Sequence, residues 1–300
     1  MPLPSPVSLP GRLAATPGIE PFPGWVLGSG QSADWVARAR KKIWRLLRSP
    51  FEVEWLEGLR LTLYPGNEIC RSIFVTGRYE PNEFSWLQCV LKPGMTFLDV
   101  GANLGLYTLF ASRRVSGNGR VIAIEPSSRE MELLRKQVEQ NSLGNVSLLS
   151  VALLDHPAEV VLLIASANHA GHNTLGAFGY NTELENREKV RALRLDDVVE
   201  SAQLKRVDVI KMDIEGAELA ALRGAAGTLA QHRPSLLMEL SDRALQHQNA
   251  SSAEVLSLLA DYGYDVFAFD PAAGLPVPLT PRSYFDSENI IAAPRGVQPW

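Results

Sequence analysis

An α/β fold built on a mostly parallel sheet is predicted for this chain, and two observations predict it. From residue 95 onward, short and nearly continuous apolar runs alternate with helical stretches, as strands covered on both faces do. A glycine-spaced turn, Asp99-Val-Gly101-Ala-Asn103-Leu-Gly105, follows the first of those runs and opens a helix. Composition agrees: 300 residues with 46% hydrophobic and 21% charged side chains are ordinary globular proportions. They exclude a fully disordered chain, a collagen-like chain and a disulfide scaffold.

Taken in order, seven of the 20 prolines lie in the first 23 residues, so residues 1–24 are expected as an extended or disordered lead. Residues 33–48 have a helical pattern. Trp35, Ala39, Ile43, Leu46 and Leu47 form an apolar stripe, and basic residues cover the rest. Ser49-Pro50 ends it. FEVEW and LRLTLY flank Glu57-Gly58 as a hairpin, and SIFVTG is expected as a third strand. Pro81 opens a helix through EFSWLQCVL. The organisation expected is a lead plus basic helix over 1–50, a small β/α extension over 51–94 and a main domain over 95–300.

In the main domain MTFLDV, RVIAIE, VSLLSVAL, VDVIKMD and PSLLMEL are the first five strands. Helices are expected over 104–114, 127–141 and 216–231. Ser127-x-x-Glu130 and Ser251-x-x-Glu254 are capping boxes, the second opening a helix stopped by Gly263. YDVFAFD and ENIIAAP close the chain. Between the third and fourth strands, AEVVLLIAS, a polar loop 166–189 and RALRLDDVV form a strand-rich insertion.

With 29 basic and 33 acidic side chains the net charge is −4, which does not favour a nucleic-acid backbone as partner. Two cysteines, Cys70 and Cys89, point to a reducing, cytoplasmic compartment. No apolar run approaches the ~20 residues of a membrane span.

The glycine turn is not the dinucleotide pattern G-x-G-x-x-G. Its spacing is G-x-x-x-G, and Glu125 ends the second strand 20 residues after Gly105, where a carboxylate can accept ribose hydroxyls. The set points to a nucleoside cofactor without a diphosphate, such as S-adenosylmethionine. A tight βα turn with no ligand is the plainer alternative.

FLDVGANLGLYTLFAS, VIAIEP, RLDD, VDVIKMDIEGAELAALRGA and RPSLLME occur in that order, and with them the chain resembles the FkbM family of S-adenosylmethionine-dependent methyltransferases over about residues 79–293. KMDIEGAE with LRGA is the most specific part. The resemblance implies a Rossmann-like class I methyltransferase fold, seven strands ordered 3-2-1-4-5-7-6. It also implies O-methylation of a small molecule, in the manner of tailoring enzymes for sugars, glycolipids or secondary metabolites. The cofactor residues expected are Asp99, Gly101, Ala102, Asn103, Gly105, Glu125 and Pro126, with Asp213 at the end of strand 4. In the implied order strand 4 lies beside strand 1, so Asp213 is expected next to the acceptor hydroxyl as base or orienting group. His172 is the second candidate base, and Glu215 is a third acidic candidate that a helix first turn also explains. Glu239, His169, Asn173 and Thr174 are expected toward substrate, the last two because relatives often carry small polar residues there. Asp196-Asp197 is expected as a turn or cap. No metal ligands are assigned, because the possible oxygen and nitrogen ligands show no tight spacing; whether a divalent metal assists stays open.

Two other readings stay open. The absent G-x-G-x-x-G pattern argues against an NAD-dependent oxidoreductase, and intact Asp99, Gly101, Glu125 and Asp213 argue against a non-catalytic cofactor-binding module. A nucleic-acid amino-methyltransferase would want Asn/Asp-Pro-Pro-aromatic where Asp213-Ile-Glu-Gly stands. The basic helix is expected to pack on the domain or pair with a second copy through residues 33–48, with an anionic membrane surface as the alternative.

Overall fold

The computed structural model describes residues 30–179 and 181–298, so the proline-rich lead lies outside the described residues. Two compact units are present. One holds the chain up to Pro81 together with Ala167–Gly171, and the other holds Asn82–Ser166 and the chain from His172.

In the first unit, α1 (Gly30–Trp44) precedes a hairpin of β1 (Phe51–Glu54) and β2 (Arg60–Leu63), in register Phe51↔Leu63 and Val53↔Leu61. Its turn places Glu57 and Gly58 at positive φ, which glycine adopts without strain. The expected third strand is instead a helix, α2 (Glu68–Thr76). The Asn67 side chain accepts from the Cys70 N–H at 2.9 Å and caps it. Ile69, Cys70, Ile73 and Phe74 bury one face at helical spacing, which outweighs the β-branched run in this segment. The apolar stripe of α1 is not its buried side. Trp44 is, packed on Phe51 and Phe74 at 6.4 and 5.5 Å between rings.

The second unit begins within α3 (Pro81–Val90), which leads into β3 (Thr96–Val100), α4 (Leu106–Val115), β4 (Arg120–Ile124), α5 (Ser128–Gln140) and β5 (Val146–Leu149). The insertion follows as β6 (Ala152–Leu153), β7 (Ala158–Ala165) and β8 (Leu184–Leu193), a separate sheet ordered β6-β8-β7. After α6 (Leu195–Ser201) come β9 (Val209–Met212), α7 (Glu218–Arg223), α8 (Ala226–Gln231), β10 (Ser235–Leu240), α9 (Asp242–Gln246) and α10 (Ser252–Asp261). The chain closes with β11 (Tyr264–Phe269), β12 (Pro276–Pro278) and β13 (Glu288–Pro294).

The large sheet runs β5-β4-β3-β9-β10-β13-β11-β12. Its first five members are parallel, and β13 enters antiparallel between β10 and β11. Counted in chain order without β12, this is 3-2-1-4-5-7-6. The short β12 is an eighth, edge strand that the sequence reading did not include. The topology is that of a Rossmann-like α/β domain. Leu98, Val100, Ile122, Ile124, Ile210, Met212, Leu236 and Met238 form the sheet's part of one apolar core.

Three further segments differ from expectation. VSLLSVAL is divided, with β5 in the large sheet and β6 in the insertion. RALRLDDVV ends its strand at Leu193 and turns into α6. The helix expected over 216–231 breaks at Gly224, where a Cβ would stand 2.1 Å from the Leu154 carbonyl oxygen. Asp196 caps the second piece: its carboxylate accepts from the Gly227 and Thr228 N–H groups, both at 2.8 Å, and from the Thr228 hydroxyl at 2.7 Å. Both capping boxes form a Ser–Glu side-chain pair, and Ser251 also accepts from the Glu254 N–H.

Candidate active site

The glycine turn sits where β3 and β9 end side by side. Gly101 has φ 75, and a Cβ there would fall 1.9 Å from the Asp213 carbonyl oxygen. Glycine is therefore required first by the approach of the β9 loop. Gly105, at φ 93, leaves room for Leu134 of α5, which a Cβ would meet at 2.4 Å. Asn103 adopts φ 50, and the Gly101 and Ala102 N–H groups both donate to the Ile124 carbonyl. The loop is thus pinned to β4 as well as β3.

Glu125 closes this arrangement. Its Oε2 accepts from the Asn103 N–H and its Oε1 from the Ser127 N–H, each at 2.9 Å. Burial, with the nearby Glu130 charge second, pushes its pKa up to about 8. A carboxylate offers about four acceptor positions, so lone pairs remain for a diol beside the two backbone bonds. Pro126 follows, half-buried. The loop and Glu125 suit a nucleoside: backbone at close approach, and an acceptor pair at the end of the neighbouring strand.

Asp99, expected among the cofactor residues, is fully buried, and its Oδ2 accepts from the Thr108 hydroxyl of α4 at 2.5 Å, which ties β3 to that helix. Its Oδ1 has no hydrogen-bond partner among the described residues. Burial raises its pKa, and Lys211, its register partner on β9, opposes this.

Lys211 is the residue that sequence reasoning missed. It is 6% exposed; its Nζ donates to the Gly101 carbonyl at 2.9 Å, stands 3.5 Å from Asp213 Oδ2 and lies 5.2 Å from the Tyr107 ring centre. A lone cation inside the apolar run VDVIKMD was the available signal.

The β9–α7 loop carries the acids. Glu215 has φ 50 and Gly216 has φ 104, with a Cβ at Gly216 placed 2.4 Å from the Ala244 carbonyl oxygen. A non-glycine residue held in the left-handed region marks a loop whose surroundings over-determine it. Glu218 does this from α7: its carboxylate accepts from the Ile214 and Gly216 N–H groups, both at 3.0 Å, and burial moves its pKa to about 7. Thr174 does it from the insertion, its hydroxyl donating to the Glu215 carbonyl at 2.8 Å. His172 Nδ1 lies 2.9 Å from Glu215 Oε1.

Asn173 and Thr174, expected toward substrate, spend their polar groups on the protein. Asn173 accepts from the Ala165 N–H at 2.9 Å and donates to Glu130 at 3.0 Å. Their effect is to set His172 against Glu215. His169 belongs to the first unit's segment Ala167–Gly171.

Glu239, at the end of β10, accepts from the Ser287 hydroxyl. Its pKa is raised by burial first, then by the Asp213 and Glu215 charges. One oxygen from each of Asp213, Glu215 and Glu239 lies within 4.8 Å of the others. Such a trio can share a proton or offer oxygen ligands to a divalent cation.

A Rossmann-like sheet with a glycine turn and acids at its carboxyl edge defines a nucleoside-cofactor enzyme of the class I methyltransferase type. The chain belongs to the FkbM methyltransferase family, whose methyltransferase FkbM domain it matches over residues 99–266. The cofactor that goes with this membership is S-adenosylmethionine. That sets aside the NAD-dependent oxidoreductase. Among curated proteins the chain is similar to the AMB antimetabolite synthetase AmbE of Pseudomonas aeruginosa, 26% identical over 59% of this chain and 10% of that protein. It is similar to Methyltransferase 1 of Beauveria bassiana, 25% identical over 52% of this chain and 66% of the other. It is also similar to the ribosomal RNA large subunit methyltransferase E of Nitrobacter winogradskyi, 34% identical over 40% and 48%. The chain thus spans a tenth and about two thirds of the first two. A solved methyltransferase FkbM from Methylobacillus flagellatus overlays with TM-score 0.41 at 17% identity, covering 86% of this chain and 60% of that one. No helix among the described residues is long and apolar enough to cross a membrane.

Proposed function

We infer that the chain transfers a methyl group to a hydroxyl oxygen of a small molecule, in the class of sugars, glycolipids or secondary metabolites. When bound, S-adenosylmethionine supplies an electrophilic methyl group on a sulfonium. The single observation that carries the reading is the cluster of proton-accepting groups, Asp213, Glu239 and the His172–Glu215 pair, at the edge where the glycine turn lies. Nucleophilic attack by a hydroxyl needs its proton removed, and a positioned carboxylate or imidazole does that. Within the cluster, burial and then the Asp213 and Glu215 charges raise the Glu239 pKa. Asp213, facing the Lys211 ammonium, receives or orients the acceptor's O–H. Glu125, Asn103 and Gly101 hold the nucleoside end, Ala102 and Gly105 shape the turn, and Glu239 and His172 flank the acceptor. Asp99, Asn173 and Thr174 hold the frame. Positioning supplies most of the remaining rate.

The likeness to a ribosomal RNA methyltransferase favours a second reading, with ribosomal RNA as acceptor. The experiment is turnover of methyl-labelled S-adenosylmethionine against a panel of glycosides, hydroxylated metabolites and ribosomal RNA. Label on the oxygen of a small acceptor is the expected result. Label on RNA selects the second reading, and label on nitrogen or carbon alone overturns O-methylation.

A further inference from the structure

The catalytic reading leaves one sequence motif unused, the apolar stripe of the basic helix. Beyond Trp44 a turn follows, with the Leu46 N–H donating to the Ile43 carbonyl and the Leu47 N–H to the Trp44 carbonyl. None of the five stripe residues is buried. Trp35 is 47% and Leu46 74% exposed, and Ala39, Ile43 and Leu47 are half-buried. The helix is anchored instead by Trp44 on Phe51 and Phe74, and by Arg40, whose Nη1 donates to the Phe74 carbonyl at 3.2 Å. At about 100° per residue these two anchors lie roughly 140° and 180° round from Trp35, so the helix cannot roll to cover its stripe without giving them up.

The flank beside the stripe is cationic. Arg38, Lys41, Lys42 and Arg45 are exposed, and no acidic residue occurs between Trp35 and Phe51 in a chain of net charge −4. None of the four makes an ion pair among the described residues, whereas Arg194, Arg206 and Arg282 each pair with a carboxylate. An uncovered apolar stripe beside unanswered positive charge asks for an occupant that is apolar inside and anionic outside.

We propose that this face docks the protein on an anionic bilayer surface. Trp35 sits at headgroup level, Leu46 and the half-buried stripe residues enter the acyl boundary, and the four cations meet lipid phosphates. A second copy fits less well. A twofold pairing sets the four exposed cations of one copy against those of the other. A nucleic acid would engage the cations and leave the stripe in water.

The test is sedimentation of the full chain with vesicles of phosphatidylcholine alone and of phosphatidylcholine mixed with phosphatidylglycerol. The expected result is binding to the anionic vesicles only, weakened by salt. The triple variant Arg38→Gln, Lys42→Gln, Arg45→Gln should bind roughly a hundredfold more weakly, at about fivefold per residue for ~1 kcal/mol each. Trp35→Ser with Leu46→Ser should also weaken it while keeping the charge. All five positions are exposed, and retained S-adenosylhomocysteine binding verifies the fold of each variant. Equal partition onto both vesicle types, no binding, or a triple variant that binds normally overturns the proposal. So does light scattering that shows a dimer dissolved by the Trp35 and Leu46 changes, or tighter binding to duplex RNA than to vesicles.

Discussion

Replacing Glu125 by Gln keeps the side chain's shape and removes its charge. In the native fold both carboxylate oxygens accept backbone N–H bonds, from Asn103 and from Ser127. An amide can accept only one, and its NH2 group then faces the other N–H donor. Where Glu125 is ionised, above about pH 8, losing a charge-assisted bond in a buried place costs ~1–3 kcal/mol, so S-adenosylhomocysteine affinity there should fall by about 5- to 150-fold. A pH signature goes with it. Burial raises the Glu125 pKa to about 8, so the free protein carries it protonated below that pH. Ribose hydroxyls donate best to the ionised form. Binding therefore releases a proton, and affinity falls as pH drops below about 8, by at most tenfold per unit. Calorimetry from slightly acid to mildly alkaline pH, in buffers of different ionisation enthalpy, measures both affinity and proton release. The stability sign is opposite. The folded state binds more protons than the unfolded between the ordinary carboxylate pKa and about 8, so this group's contribution to stability declines as pH rises through that window. A folded Glu125→Gln protein with native affinity, or native affinity that does not vary with pH, would refute the assignment.

Asp213→Asn should lower the single-turnover rate by ~10²–10⁴ with S-adenosylhomocysteine affinity nearly intact, and His172→Ala should cost much less. The reverse order would make His172, held by Glu215, the base. Lys211→Met should lower the urea midpoint by an amount equivalent to ~1–3 kcal/mol, because the Gly101 carbonyl and Asp213 lose the ammonium that faces them, and Lys211→Arg should recover part of it. Gly101→Ala should abolish cofactor binding and lower the melting temperature together, since the new Cβ meets the Asp213 carbonyl before any ligand; binding loss at unchanged melting temperature would contradict that reason. Asp196→Ala should destabilise the fold by ~1–2 kcal/mol through the uncapped α8, measured by denaturant titration, with turnover unchanged.

Wherever a single segment dictates its own conformation, sequence reading sufficed. The apolar runs of β3, β4, β9 and β10, the Ser–Glu caps of α5 and α10, and the hairpin at Glu57-Gly58 all depend on spacing and local chemistry. The glycine turn with Glu125, and the acids after strand 4, were legible for the same reason. The third-strand reading of SIFVTG failed because a β-branched run was weighed without its Asn67 cap and buried stripe.

What the tertiary structure alone decided are matters of partnership across long separations. Whether Gly101 serves a ligand or a neighbouring strand depends on the Asp213 carbonyl, which the chain brings up 112 residues later. Asp99 becomes a buried strut because Thr108 and Lys211 come to it. Asn173 and Thr174 become anchors because Glu130 and the Glu215 carbonyl stand within reach. Lys211 was hidden because a lysine in an apolar strand has no meaning until its two carboxylates and a carbonyl are found around it. The face of the first helix is the same case: periodicity marks an apolar stripe, but the anchors at Arg40 and Trp44 decide which side is buried among the described residues. Periodicity describes one segment, and burial is a property of whatever packs against it.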